Sequence, residues 1–239
     1  MTIGRGQRRG EGQGRLALLE SLIREKPGRR LVDIGSDHAS LPIHLLKEGL
    51  YDRVLVTDIR PGPLKVALKR AKAAGLDAGF ESLLTDGLTG IDLSADDLLL
   101  MSGLGGETLA AILEAEPDQA KQPLRLILQP QSREEILRQS LFDLGLPISA
   151  EYCVLDQGQV YLVMVSDPHG QSREEMTALE RFFGPRILEA CQKALDESLK
   201  AYLSKRLRRL KKQAPYDPAS ASLLAEFSSL TVPCHDFDI

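Results

Sequence analysis

The sequence predicts an α/β protein: a mostly parallel sheet ending in an antiparallel hairpin, with an α-helical hairpin after it. Three observations carry this. Short β-rich apolar runs alternate with helix-patterned segments as far as residue 144. Two strand patterns, 148–156 and 160–166, then follow with only a DQGQ turn between them. Beyond Ser166 the apolar residues recur at helical spacing instead. Alternating strands and helices imply right-handed βαβ units, and two strands joined by a short turn imply an antiparallel pair.

The elements can be placed in order. RLVDI at 30–34 reads as a buried strand and LPIHLLKEG as the helix after it. RVLVTD at 53–58 is the second strand, and residues 63–75 form an amphipathic helix ending at Gly75, a C-cap residue. GFESLL at 79–84, DLLLMSG at 97–103 and PLRLILQP at 123–130 are further strands. The helix at 132–145 carries a Ser132–Glu135 capping-box pattern and a terminating Gly145. After the breaker cluster DPHGQ a helix is expected from about Ser172, interrupted at Gly184-Pro185. From 185 to 212 Leu188, Cys191, Leu195, Leu199, Tyr202, Leu203, Leu207 and Leu210 make one stripe, read as a single helix of about 40 Å. Asp217 and Pro218 start a shorter helix, so these two helices form an antiparallel hairpin packed on its own stripes. The expected division is a tail at 1–14, an α/β domain at 15–167 and a coiled-coil-like helical domain at 168–239.

Composition narrows the function classes. Cys153, Cys191 and Cys234 are odd in number and far apart, which predicts a reduced, cytosolic chain. Those cysteines and His38, His44, His169 and His235 lack zinc-site spacing, so no metal is expected. No apolar run is long enough to span a membrane. Net charge is −4, yet residues 1–30 hold eight Arg/Lys against three Glu, and residues 198–212 hold seven and no acid. A basic arm touching nucleic acid and a simple solvated tail both fit the first cluster.

The chemistry-bearing motifs lie at strand ends. Asp33-Ile34-Gly35-Ser36-Asp37-His38 joins a strand to a helix, and Gly35 lets a ligand approach the turn closely. A GxGxxG fingerprint is absent, because Asp37 stands at its second glycine. Asp58, 23 residues beyond Gly35, ends the next strand and can accept from ribose hydroxyls; Ile59 follows it. Asp86-Gly87 follows the third strand and can accept from an adenine amino group. Ser102, Gly103, Gly105 and Gly106 form a glycine-rich loop suited to a methyl acceptor or to the cofactor. Gln129 can orient a substrate, or Pro130 can simply stop the strand. His38 sits beside the first turn and reads as a site residue.

Five βα-type strands followed by a hairpin are laid out as in Rossmann-like methyltransferases, an argument by fold analogy. The segments DIGSDHASLP (33–42), DIRPGP (58–63), TDGL (85–88), SGLGGETL (102–109), LILQPQ (126–131) and ERFFGPRIL (180–188) together resemble the bacterial tRNA (adenine-22-N1)-methyltransferases, over most of residues 15–230. The resemblance implies S-adenosylmethionine as cofactor and methyl transfer to N1 of an adenine in tRNA. It places Asp33, Ile34, Gly35, Ser36, Asp58, Ile59, Asp86, Gly87, Ser102 and Gly103 on the cofactor side. Asp37 and His38 fall at the catalytic position, and Gly105, Gly106, Gln129 and Pro130 near the RNA. Lys205, Arg206, Arg208, Arg209 and Lys211 would face outward and hold phosphates; a solvated helix end is the plain alternative. The chain departs from the family at Ser40, usually aromatic, at Leu104, usually Met, and at Asp58-Ile59-Arg60, usually a Glu-containing segment. Two rivals remain: a methyltransferase of another substrate with the hairpin as a dimerisation device, and a non-catalytic RNA-binding relative. Oligomeric state stays open.

Overall fold

The computed structural model describes residues 14–36, 38–193 and 195–230. The strands are β1 (Arg30–Ile34), β2 (Arg53–Asp58), β3 (Phe80–Leu84), β4 (Asp97–Leu104), β5 (Arg125–Pro130), β6 (Ile148–Asp156) and β7 (Gln159–Ser166). The helices are α1 (Arg15–Glu25), α2 (Ser40–Lys47), α3 (Pro61–Ala73), α4 (Gly106–Ala115), α5 (Pro117–Ala120), α6 (Glu134–Asp143), α7 (Ala178–Phe183), α8 (Pro185–Cys191), α9 (Glu197–Gln213) and α10 (Pro218–Ser229).

All seven strands form one sheet in the order β3-β2-β1-β4-β5-β7-β6. β1 to β5 are parallel, and β7 and β6 close the sheet as an antiparallel pair. The turn between them places Gln157 at φ 50° and Gly158 at φ 77°. Two successive positive φ values match the right-handed twist of the flanking strands. The expected α/β class and the hairpin are both present.

Both faces of the sheet are buried at its central strands, which is why β1, β2, β4 and β5 read as nearly unbroken apolar runs. Leu31, Val54, Val56, Leu98, Leu100, Ile127, Val163 and Val165 pack with α1, α2 and α3 on one side. Their alternates Val32, Leu55, Leu99, Met101, Leu126, Leu128, Leu162 and Met164 join a second cluster under α4, α6, α7, α8 and α9.

Several sequence-based expectations need correction. The single helix expected over 185–212 is two, α8 and α9. Asp196 caps α9 by accepting from Leu199 N–H at 2.7 Å, and a capped start ends the run before it. The helix expected from Ser172 begins at Ala178, where Thr177 and Glu180 form a capping box. No such box forms at Ser132, because Arg133 takes the N-cap position at φ 54° and Glu135 bonds to arginines of α9 instead. The stripe of α9 also packs on β6 and β7 as well as on α10, so the helical pair is not held by its own stripes alone. The Asp217 cap is present, accepting from Ala219 and Ser220 N–H at 3.2 and 3.1 Å.

Candidate active site

Strand order reverses between β1 and β4, and in such sheets ligands bind at that switch, beyond the carboxyl ends of the strands. The sequence puts its chemistry there. Along the edge β3, β2, β1, β4 end in Asp86, Asp58, the Asp33–Ser36 turn and the Ser102–Gly103 segment.

The first turn is held from below: Gly35 and Ser36 N–H groups donate to Thr57 O at 2.9 and 3.2 Å. Gly35 has φ 73°, and a Cβ on it would lie 3.3 Å from Leu104 Cδ1. Glycine is therefore required there both by conformation and by the neighbouring side chain. Asp33 is buried, and loss of solvent pushes its carboxyl up to about 7, against a lowering hydrogen bond from Ser36. The Ile34 side chain is buried in the core, which leaves its backbone as the part that borders the turn. Arg70 Nη1 donates to His38 O at 2.8 Å and Ser40 Oγ at 3.0 Å, fixing the entry to α2. His38 itself is exposed at this edge. Asp37 lies outside the described residues.

At the end of β2, Asp58 is buried and its Oδ1 accepts from Arg60 N–H at 2.7 Å. Beside it Ile59 is 65% exposed, and Leu84, the register partner of Asp58 on β3, is 56% exposed. Two exposed aliphatic side chains thus lie at neighbouring strand ends beside a buried carboxylate, residue types suited to a flat base joined to a ribose. Asp86 is exposed just beyond the end of β3, and Gly87 at φ 57° is buried against Ile112.

β4 ends in a bulge between Ser102 and Leu104, with Gly103 exposed at φ 83°. Gly105 precedes α4 as its N-cap. Gly106 does not face a substrate: it is buried, its N–H donates to Ser132 O at 2.7 Å, and a Cβ would strike the carbonyls of Ser132 and Arg133. Gln129 and Pro130, read as RNA-side residues, are also buried, and the Gln129 amide is spent on Gly103, Arg15 and Pro130. The side chains of Gln129 and Pro130 thus pack between the β4 and β5 ends rather than standing out from the edge.

The basic run on α9 divides in two. Arg206 is 2% exposed, donating to Glu134, Glu135 and Phe182 O, which corrects the expectation that it faces outward. Arg209 is half-buried on Glu135 at 2.7 Å. Lys205 and Arg208 are exposed and line a groove of about 480 Å³ with Leu155, Gly158, Gln159, Val160 and Ala201. Lys211 is exposed farther along. Tyr202 meets Arg138 midway along α6 and Arg206 meets Glu134 at its start, so α9 runs toward the edge that carries the site. Among the described residues one carboxylate–histidine group, Glu20, His44 and Glu48, has ligand-like spacing. Arg24 bridges both carboxylates, offsetting one of their two charges, and lowers the Glu48 pKa.

Sequence reasoning missed Arg15, which reaches Gln129 across 114 residues, and the exposed Leu84 beside Asp58. A paired Leu83-Leu84 at a strand end was the available sign of the latter, because alternation turns one of the two outward.

A reversed parallel sheet with an antiparallel closing pair, bearing an acid at successive strand ends and a glycine turn at the switch, defines a nucleotide-cofactor methyltransferase of the Rossmann type. The chain belongs to the family described as "Methyltransferase domain", matched over residues 13–164. It is similar to the tRNA (adenine(22)-N(1))-methyltransferase of Bacillus subtilis, 31% identical over 140 residues; the match spans 59% of this chain and 59% of that enzyme. Among solved structures it resembles Streptococcus pneumoniae Sp1610 in complex with S-adenosyl-L-methionine, with TM-score 0.77, 27% identity, and coverage of 90% and 96% of the two chains. A Streptococcus agalactiae protein of the NADB-Rossmann superfamily matches at TM-score 0.73 and 28% identity, over 95% and 93%.

Proposed function

We propose that this protein transfers a methyl group from S-adenosylmethionine to N1 of an adenine, position 22, in tRNA. The observation that carries the reading is the edge itself: Gly35, Asp58 and Asp86 arranged around exposed Ile59 and Leu84, in a chain 27% identical to a protein solved with that cofactor. The residues fit the group. Gly35 gives the turn the left-handed φ that carries the chain past the strand end, Asp58 would hold ribose hydroxyls, Ile59 and Leu84 would contact the adenine, and Asp86 would accept from its amino group. Bound there, the cofactor supplies an electrophilic methyl on a sulfonium sulfur.

The chain's own residues need only orient the acceptor. Neutral adenine carries a lone pair on N1, so no strong general base is required and alignment is the main contribution. The methylated ring is cationic, and a carboxylate beside it, the role we assign to Asp37, stabilises the developing charge. His38, exposed beside that turn, is assigned to the acceptor side. A base within folded RNA must be unstacked to reach such an edge.

The helical segment from 168 is assigned to RNA binding. α9 extends past the start of α6 on the site's edge, at about 1.5 Å per residue. Lys205, Arg208 and Lys211 would meet phosphates, and Tyr216, 89% exposed in the turn before α10, suits stacking on an unpaired base. Among the described residues no helix is long and apolar enough to cross a membrane, and a tRNA substrate would be met in the cytoplasm.

Incubation with labelled cofactor and bulk tRNA, followed by nucleoside analysis, tests the reading. Label in 1-methyladenosine is the expected result. Cofactor binding without label in RNA would overturn the substrate, and no cofactor binding would overturn the enzyme assignment.

A further inference from the structure

The Gly103 bulge is held by the Gln129 side chain of the neighbouring strand, which Arg15, near the start of the chain, holds in turn. A β-bulge takes one residue out of ladder pairing, so its N–H needs another acceptor. Gly103 N–H finds one in Gln129 Oε1, at 3.1 Å. The same oxygen accepts from Arg15 Nη1 at 3.1 Å, and Gln129 Nε2 donates to Pro130 O at 3.0 Å. Gln129 is 0% exposed, in a strand whose other interior positions are Leu126, Ile127, Leu128 and Pro130. A polar side chain there costs stability unless it is bonded, and an apolar residue would fill the position more simply.

Arg15 is itself fixed. It is the first residue of α1, its backbone N–H donates to Asp156 Oδ2 at 3.0 Å, and its guanidinium carbon lies 5.1 Å from the centroid of the Tyr161 ring. Both partners belong to the β6–β7 hairpin. On the far side of the bulge, Leu104 O accepts from Gln131 N–H at 2.8 Å, and the Leu104 side chain stands over Gly35. A continuous line of bonded and packed groups thus runs from Arg15 through Gln129, Gly103 and Leu104 to the cofactor turn.

We propose that Arg15 and Gln129 are positioning residues for methyl transfer, holding the Gly103 bulge and, through Leu104, the spacing between cofactor turn and acceptor loop. The assignment rests on the proposed tRNA reading for its kinetic test. Both act through the backbone of Gly103 and the side chain of Leu104. Gln129→Leu removes the shared acceptor, Gln129→Glu keeps an oxygen for both donors, Arg15→Met removes the cation and Arg15→Lys keeps it.

Turnover on tRNA, cofactor affinity by calorimetry and amide exchange at Gly103 are measured on the full chain. Gln129→Leu should lower kcat by about tenfold to a hundredfold, as displacements near one ångström do, with cofactor Kd within about twofold. Arg15→Met should lower it less, Arg15→Lys should restore part of the loss, and the Arg15→Met/Gln129→Leu double variant should match Gln129→Leu alone. Gly103 amide exchange should speed up by at least about tenfold in Gln129→Leu. Unchanged kcat in folded variants, or a cofactor Kd that weakens in step with kcat, would overturn the proposal. Should Gln129→Leu not fold, the Arg15→Met and Arg15→Lys pair decides by the same criteria. The exchange measurement needs no RNA, so unchanged protection overturns this inference even where the substrate reading fails, and faster exchange upholds the clamp in that case.

Discussion

Arg206 of α9 and Glu134 of α6 form a buried ion pair, with Nη1 2.7 Å from Oε2. The same guanidinium donates to Glu135 at 2.9 Å and to Phe182 O at 2.7 Å, and it lies 3.8 Å over the Phe182 ring. One side chain therefore ties α9 to the start of α6 and the end of α7. Removing one partner of a buried pair leaves the other charged and unsolvated, which costs about 3–5 kcal/mol. Arg206→Gln should accordingly lower unfolding free energy by an amount near that range in urea titration. A loss under about 1 kcal/mol, the value of an exposed pair, would show that the pair contributes little.

The same network sets an acid limit. Burial pushes the Glu135 carboxyl up, but the Arg206 charge and hydrogen bonds from Arg209 and Arg206 outweigh it and hold the group at about 2, below its ordinary 4.5. A carboxyl depressed by folding contributes stability that is fully present above the unfolded value and lost as pH falls through the folded one. Stability should therefore decline between about pH 4.5 and about pH 2 through this group. In Arg206→Gln the acid transition should move upward in pH, read by circular dichroism. An acid midpoint identical to wild type would contradict the coupling.

Much of this was legible in sequence. Gly35, Asp58 and Asp86 were recognisable because each closes a β-rich run, and parallel strands bring such ends to one edge. Gln129 was misread although its interior place was implied: a strand buried on both faces has no outward position, and Gln129 follows Leu126, Ile127 and Leu128. Arg206 was misread for a similar reason. It stands three residues after Leu203 and four before Leu210, on the apolar stripe, where its charge type concealed its position. The Arg15–Gln129 bond had no signal, because nothing local joins residues 114 apart. Asp37 carries the proposed charge-stabilising role on its motif alone and lies outside the described residues.

Cofactor binding should depend on Asp58 and Gly35 in different ways. Asp58→Ala removes the proposed ribose acceptor and also the bond to Arg60 N–H, so affinity for S-adenosylmethionine should fall by about 1–3 kcal/mol. Gly35→Val forces a branched side chain into φ 73° and against Leu104, so binding should be lost by bulk and by movement of the turn. Calorimetry on variants with native circular dichroism is the check. Undiminished affinity in both would remove the cofactor from this edge.

The division of the α9 cations makes a sharper test of RNA binding than the run as a whole. Lys205 and Arg208 face the groove beside the β6–β7 hairpin, with Leu155 and Val160 as its apolar wall. Arg208 Nε donates to Ser204 O, one turn back on its own helix at 3.3 Å, and among the described residues no acid is paired with it. Arg206 and Arg209, by contrast, are matched by Glu134 and Glu135. Lys205→Gln with Arg208→Gln should leave melting temperature and cofactor affinity near wild type. A phosphate that no longer meets a cation keeps its condensed counterion, so the slope of log affinity for tRNA against log salt should fall by somewhat under one unit per residue. Arg206→Gln should do the reverse: it should lower the melting temperature, and in the fraction still folded it should leave the salt slope unchanged. Tyr216→Ala should weaken tRNA binding with no change in slope, since stacking carries no counterion term, and Tyr216→Phe should restore it. A Lys205/Arg208 variant with wild-type affinity and slope would take the groove out of the RNA path, leaving α9 to its packing on β6, β7 and α10.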